Sequence, residues 1–162
     1  MFRWPLAHNV IRRGSKANTF GPDVRHYPDG KPKAHQGWDF AAPIGTPCRA
    51  IGDGVVEIVE ERGDYGLRVQ LRLSKTVGMY EQLWAFYAHL RDATVKVGDR
   101  VTAGQVIGHT GESGNARGMA AEDQHLHFEV RIEASPGLGC AGRISPREVY
   151  GVCPMTEPVG DP

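Results

Sequence analysis

The sequence predicts an all-β domain made mostly of antiparallel strands. Two stretches, Gly54–Glu61 and Leu67–Leu73, alternate with a period of two, which places Leu67, Val69, Leu71 and Leu73 on one face. Between them, Gly63-Asp64-Tyr65-Gly66 has the composition of a hairpin connection. The 21 glycines and 11 prolines among 162 residues suit many short strands joined by tight turns.

Residues 1–34, rich in Gly, Pro, Asn and Arg without sustained periodicity, read as an irregular entry segment packed on the domain. From Gly37 short strands dominate: after the pair above come Leu83–His89, Val95–Val101 with a Gly-Asp turn inside it, Val106–His109 and Leu126–Ile132. Pro146–Tyr150 is long enough for one helical turn. The domain proper is expected over 35–150, and 151–162 as an extended, proline-containing tail.

Composition removes several functional classes. With 19 basic and 19 acidic side chains the formal charge is zero, so nothing points to nucleic acid. Apolar runs are too short to span a membrane, and no leader pattern is visible in Met1–Thr19. None of the three cysteines falls in a CxxC pair, which argues against a cysteine zinc site. Cys48 reads as a core residue; Cys140 and Cys153 are close enough in sequence to bridge in an oxidising compartment.

The chemistry lies in the histidines. In His125-Leu-His-Phe-Glu-Val130, alternation places His125, His127 and Glu129 on one face and Leu126, Phe128 and Val130 on the other. Alone, such a pair reads as ordinary exposed strand histidines. His35-Gln-Gly-Trp-Asp39 changes that reading: extended, it points His35 and Asp39 the same way, with Gly37 between them leaving room for an ion or a substrate backbone. Two imidazoles and one carboxylate with an open fourth position are the arrangement of catalytic rather than structural zinc. Phe86-Tyr-Ala-His-Leu90 adds His89, on one strand face with Tyr87, as a candidate for moving protons. Glu129 is either a supporting partner of His127 or an exposed strand glutamate. Trp38, Phe40 and Phe128 are expected as core beneath the metal-bearing strands, with Trp38 at the groove floor, and Tyr27 or Tyr87 as a donor to an oxyanion.

These motifs, in this order, resemble the lysostaphin-like, LytM-type zinc endopeptidases that cut peptide cross-links in bacterial cell walls. The residues that carry the resemblance are His35-Gln-Gly-Trp-Asp39, Gly45–Ala50 with Asp53–Val56, Tyr87-Ala-His-Leu90, Val97–Gly108 and His125-Leu-His-Phe-Glu129, spanning about Phe20 to Ile132. The resemblance implies antiparallel sheets forming an open groove with a barrel-sandwich-like core. It also implies Zn2+ on His35, Asp39 and His127, with His89 and His125 as the catalytic histidines. Departures are Cys48 where valine is usual and Gly118–Gln124 before His125, expected to form one groove wall.

By that resemblance the substrate is peptidoglycan stem peptide. Between a glycine bridge and a direct D-Ala–diaminopimelate link, a longer Gly118–Gln124 wall able to contact a bulkier stem favours the direct link. The chain is expected to act as a monomer in the periplasm or at the cell wall. The absence of a visible leader suggests delivery as an exported antibacterial effector, with an immunity protein occluding the groove, or as a phage lysis enzyme; a removed leader is the other reading. Two alternatives carry no catalysis: a regulator of a separate wall amidase, and a biotinyl-type carrier suggested by the Val97–Gly108 hairpin. The filled ligand positions argue against the first, and the missing acceptor lysine against the second.

Overall fold

The computed structural model describes all 162 residues. A two-stranded hairpin, β1 (Gly21–His26) and β2 (Pro32–His35), precedes β3 (Trp38–Ala41) and β4 (Pro47–Arg49). The long strands follow: β5 (Gly54–Glu61), β6 (Leu67–Leu73) and β7 (Trp84–Ala93). Next come β8 (Arg100–Val101), β9 (Val106–Thr110), β10 (His125–Arg131), β11 (Arg143–Ile144) and a single helical turn, α1 (Arg147–Tyr150).

Nine strands make one sheet along the path β11-β10-β7-β6-β5-β8, with β3 added to β10, and β9 joining β7 to β4. The path ends at β11 and β8, so there is no closed barrel. Strand β10 is the organising element. One of its edges takes β7, and the other takes β3 opposite His125–Phe128 and β11 opposite Val130–Arg131.

The core forms on one face of that junction. Phe40 packs against Trp38 and Phe128 with ring centroids 5.8 and 6.1 Å apart, and all three rings are buried. Each such burial is worth roughly 1.5–3 kcal/mol, enough to fix which face of β10 turns inward. The opposite face then carries His125, His127 and Glu129 together, as alternation predicts.

Four expectations are corrected. The 1–34 segment contains the β1–β2 hairpin, and Leu6 and Ile11 are core residues. Its short, charged strands have no alternation for a sequence reading to find; they are held by pairing, and Asn9 bridges Val159 of the tail. The Gly-Asp turn expected inside Val95–Val101 is present, with Gly98 at φ +94°, but only Arg100–Val101 beyond it is strand. Trp38 is core, as expected, but does not line the groove as its floor. Cys140 and Cys153 are free thiols, Cys140 lying over the His35 carbonyl and Cys153 beside the Met155 sulfur.

Candidate active site

His35, Asp39, His89, His125 and His127 all line one open groove of about 320 Å³. Three of them present donor atoms within 4.8 Å of one another: His35, Asp39 and His127. Asp39 Oδ1 is the meeting point, 3.2 Å from His35 Nε2 and 2.9 Å from His127 Nδ1. The outward nitrogen of each ring is tied down. His35 Nδ1 donates to the Thr19 carbonyl at 2.9 Å, and His127 Nε2 donates to Glu129 at 2.9 Å. With a metal bound, these partners would take the outer N–H of each ring and leave the inward nitrogens to coordinate.

Asp39 is held from behind. Its Oδ2 lies 2.9 Å from Arg25 Nη2 and 3.3 Å from Arg12 Nη2, which leaves Oδ1 to face the two imidazoles. Burial would raise its pKa, but hydrogen bonds from His127 and His35 hold the carboxyl well below the ordinary range. Burial would likewise lower His127, but its bonds to Asp39 and Glu129 push it up to about 9 in the metal-free protein. The three side chains could hold a divalent cation in place of the protons they share here.

Glu129 is not an exposed strand residue. It is fully buried and accepts from Arg131 Nε and Arg143 Nε at 2.7 Å each, and from Tyr65 Oη. Burial would raise its pKa, and His127 with the two guanidiniums pulls it down instead. Arg131 also stacks 3.7 Å from the Phe86 ring centroid, which keeps its fork aimed at Glu129.

His89 reaches the groove by a local break in β7. Opposite β6 the register moves from Leu67↔Leu90 to Val69↔Tyr87, so the Ala88-His89 pair bulges, and His89 sits at φ +60°. Bulges of this kind re-aim a side chain, and a non-glycine residue at positive φ is held only where its surroundings insist on it. Strict alternation would send Tyr87 and His89 the same way. Tyr87 instead goes to the core, donating to the Arg49 carbonyl at 2.9 Å, while His89 lines the groove. Its Nδ1 donates to the Ser113 carbonyl at 2.9 Å, and burial beside His127 and His125 lowers its pKa to about 4. His125 is arranged alike: Nδ1 donates to the Asp123 carbonyl at 2.8 Å, and burial lowers its pKa.

Gly37 serves a purpose other than the one expected. A Cβ there would stand 2.2 Å from the Phe128 carbonyl oxygen, so the glycine admits the β10 backbone, not an ion. Of the two tyrosines proposed as oxyanion donors, Tyr87 is in the core and Tyr27 lies outside the groove. The groove tyrosine is Tyr65, from the turn after β5, which also accepts from Gln36 Nε2. Sequence reasoning missed Tyr65, Arg12, Arg25, Arg131 and Arg143, because their roles come from contacts far apart in the chain. Of the Gly118–Gln124 segment, Met119 lines the groove, as a wall should.

Two imidazole nitrogens and one carboxylate oxygen that could hold a metal ion, beside two further histidines, are the donor set of a three-ligand metallohydrolase. Residues 33–137 match Peptidase family M23, and the chain belongs to that family of zinc metallopeptidases. It is 40% identical over 116 residues to peptidoglycan DD-endopeptidase ShyC of Vibrio cholerae, covering 72% of this chain and 24% of that protein. It is 43% identical over 96 residues to glycyl-glycine endopeptidase ALE-1 of Staphylococcus capitis, covering 59% of this chain and 24% of that protein. A solved zinc-containing peptidase from Vibrio cholerae superposes with a TM-score of 0.59 at 30% identity, over 79% of this chain and 37% of that one. The chain thus spans about a quarter (24%) of the length of these curated relatives. The lysostaphin-like fold that the motifs imply is the fold found.

Proposed function

We propose that this chain is a zinc endopeptidase unit that hydrolyses peptide cross-links of bacterial peptidoglycan. In this reading His35, Asp39 and His127 hold the metal, and His89 and His125 handle protons. The observation that carries it is the convergence of His35 Nε2, Asp39 Oδ1 and His127 Nδ1 within 4.8 Å, in a groove that both other histidines line.

When bound, zinc supplies Lewis-acid polarisation of the scissile carbonyl and acidification of water. The chain's own residues do the rest. With Nδ1 of His89 and His125 committed to the Ser113 and Asp123 carbonyls, each ring meets the groove through Nε2, where it takes or returns a proton. The low pKa of His89, about 4, keeps it neutral and able to accept at neutral pH. Glu129, Arg25 and Arg12 hold the ligands in orientation before substrate arrives, so little reorganisation is needed during reaction.

Identity alone does not choose the bond, since the relatives include both a DD-endopeptidase and a glycyl-glycine endopeptidase. The direct D-Ala–diaminopimelate cross-link is favoured by charge: Lys33 lines the groove, and diaminopimelate carries a free carboxylate beside the amide that a glycine bridge lacks. Incubating the chain with cross-linked muropeptide dimers and with pentaglycine, and identifying products by mass, tests this. Dimer cleavage is expected. Cutting of pentaglycine alone would reverse the choice of bond, and release of reducing sugar would overturn the peptidase reading. The antibacterial reading adds a second outcome: delivered to the periplasm of a susceptible cell, the chain lyses it and the His125→Ala variant does not.

A further inference from the structure

Arg12, in the segment preceding the family-matched residues, lies between the two halves of the site. Its Nη2 is 3.3 Å from Asp39 Oδ2 and donates to Asn18 Oδ1 at 2.8 Å. Its Nη1 donates to the Asp123 carbonyl at 3.3 Å, the same oxygen that receives the His125 Nδ1 proton at 2.8 Å. The neighbouring Arg13 closes on the Asp123 carboxylate with Nε at 2.8 Å and Nη2 at 2.9 Å, from a backbone at φ +60°. Arg12 Nε is buried without a partner. An unpaired buried donor and a left-handed arginine both cost stability, and such costs collect where a site dictates the geometry.

We propose that Arg12 is a positioning residue that couples Asp39 to His125. This rests on the reading of Asp39 as a metal ligand and His125 as a proton-handling group. Through Nη2 it occupies Asp39 Oδ2, with Arg25, so that the carboxylate offers the metal one oxygen. Through Nη1, which donates to the Asp123 carbonyl and lies 3.4 Å from His125 Nδ1, it fixes the aim of the His125 ring. Arg13 anchors the same loop from outside. A planar guanidinium can serve both ends at once because its two Nη groups diverge at a fixed angle.

The test uses the full chain as wild type, Arg12→Met and Arg12→Lys, each loaded with cobalt(II) in place of zinc. Both variants are expected to take up one equivalent of cobalt. Their visible d–d absorption should be weaker than wild type, because an Oδ2 held by Arg25 alone is less restrained, which lets Asp39 approach with both oxygens and raises the coordination number. With zinc, kcat on peptidoglycan should fall on the order of 10- to 100-fold, the scale of a misplaced group, with KM little changed. Lysine should not rescue, since an ammonium cannot span both partners. Unchanged cobalt spectra and kcat would overturn the proposal, and so would a lowered melting temperature as the sole effect. If Arg12→Met fails to fold, Arg12→Lys carries the same comparison. A wild-type chain that takes up no cobalt would remove the ligand reading itself, which is a different failure from variants indistinguishable from an active wild type.

Discussion

Asp39 and His127 stand directly opposite each other in the β3–β10 ladder, with Asp39 Oδ1 2.9 Å from His127 Nδ1. Opposed residues on neighbouring strands keep their Cβ atoms roughly 4.5–5.5 Å apart, so register itself sets the separation of these two proposed ligands. His35, at the end of β2, completes the set across the tight crossing at Gly37.

Zinc should bind stoichiometrically, and His127→Ala should lose it, by elemental analysis of protein purified without added metal. Glu129→Gln should keep the metal but weaken affinity on the order of 10- to 100-fold in a chelator competition, because the outer partner of the His127 ring loses its charge. Full zinc occupancy in His127→Ala would refute the ligand set.

Alanine at His89 or His125 should leave the metal bound and reduce turnover by a factor on the order of 100 or more. Both rings line the groove but lie outside the triad. Loss of metal in either variant would erase the division between ligand and proton carrier.

Gly37→Ala should be markedly destabilising. The added methyl would meet the Phe128 carbonyl at 2.2 Å, and that oxygen belongs to a strand paired on both edges. Overpacking costs about 1–3 kcal/mol, and a clash with paired backbone belongs at the upper end. At about 2–4 °C per kcal/mol for a domain of this size, a melt should show a drop approaching 10 °C. A melting temperature equal to wild type would contradict the crossing.

Alkylation followed by mass measurement should count three free thiols after unfolding without reductant, since Cys48, Cys140 and Cys153 are all unbridged. Reductant should leave the melting temperature unchanged. A mass two protons lighter than expected, with one thiol left to alkylate, would restore the bridge.

The sequence by itself determined the antiparallel strands, the inward face of β10 and all five groove histidine and aspartate positions. Those signals are local: alternation of two and short motifs are written in neighbouring residues. It was silent where roles depend on residues brought together from afar. Tyr65 reads as a hairpin turn residue until β10 places Glu129 beside it, and Arg12 as a stray charge until the entry segment folds over Asp39. Period-two reasoning even misassigned Tyr87, because one bulged residue at Ala88-His89 reverses which side chain reaches the groove. Gly37 was recognised as special, but only the packing of β10 against it showed that backbone, not ligand, fills the space. Local pattern sets which face a residue takes along a regular strand. Bulges, crossings and buried charge partners are set by the whole chain, because only tertiary packing supplies the energy that holds them.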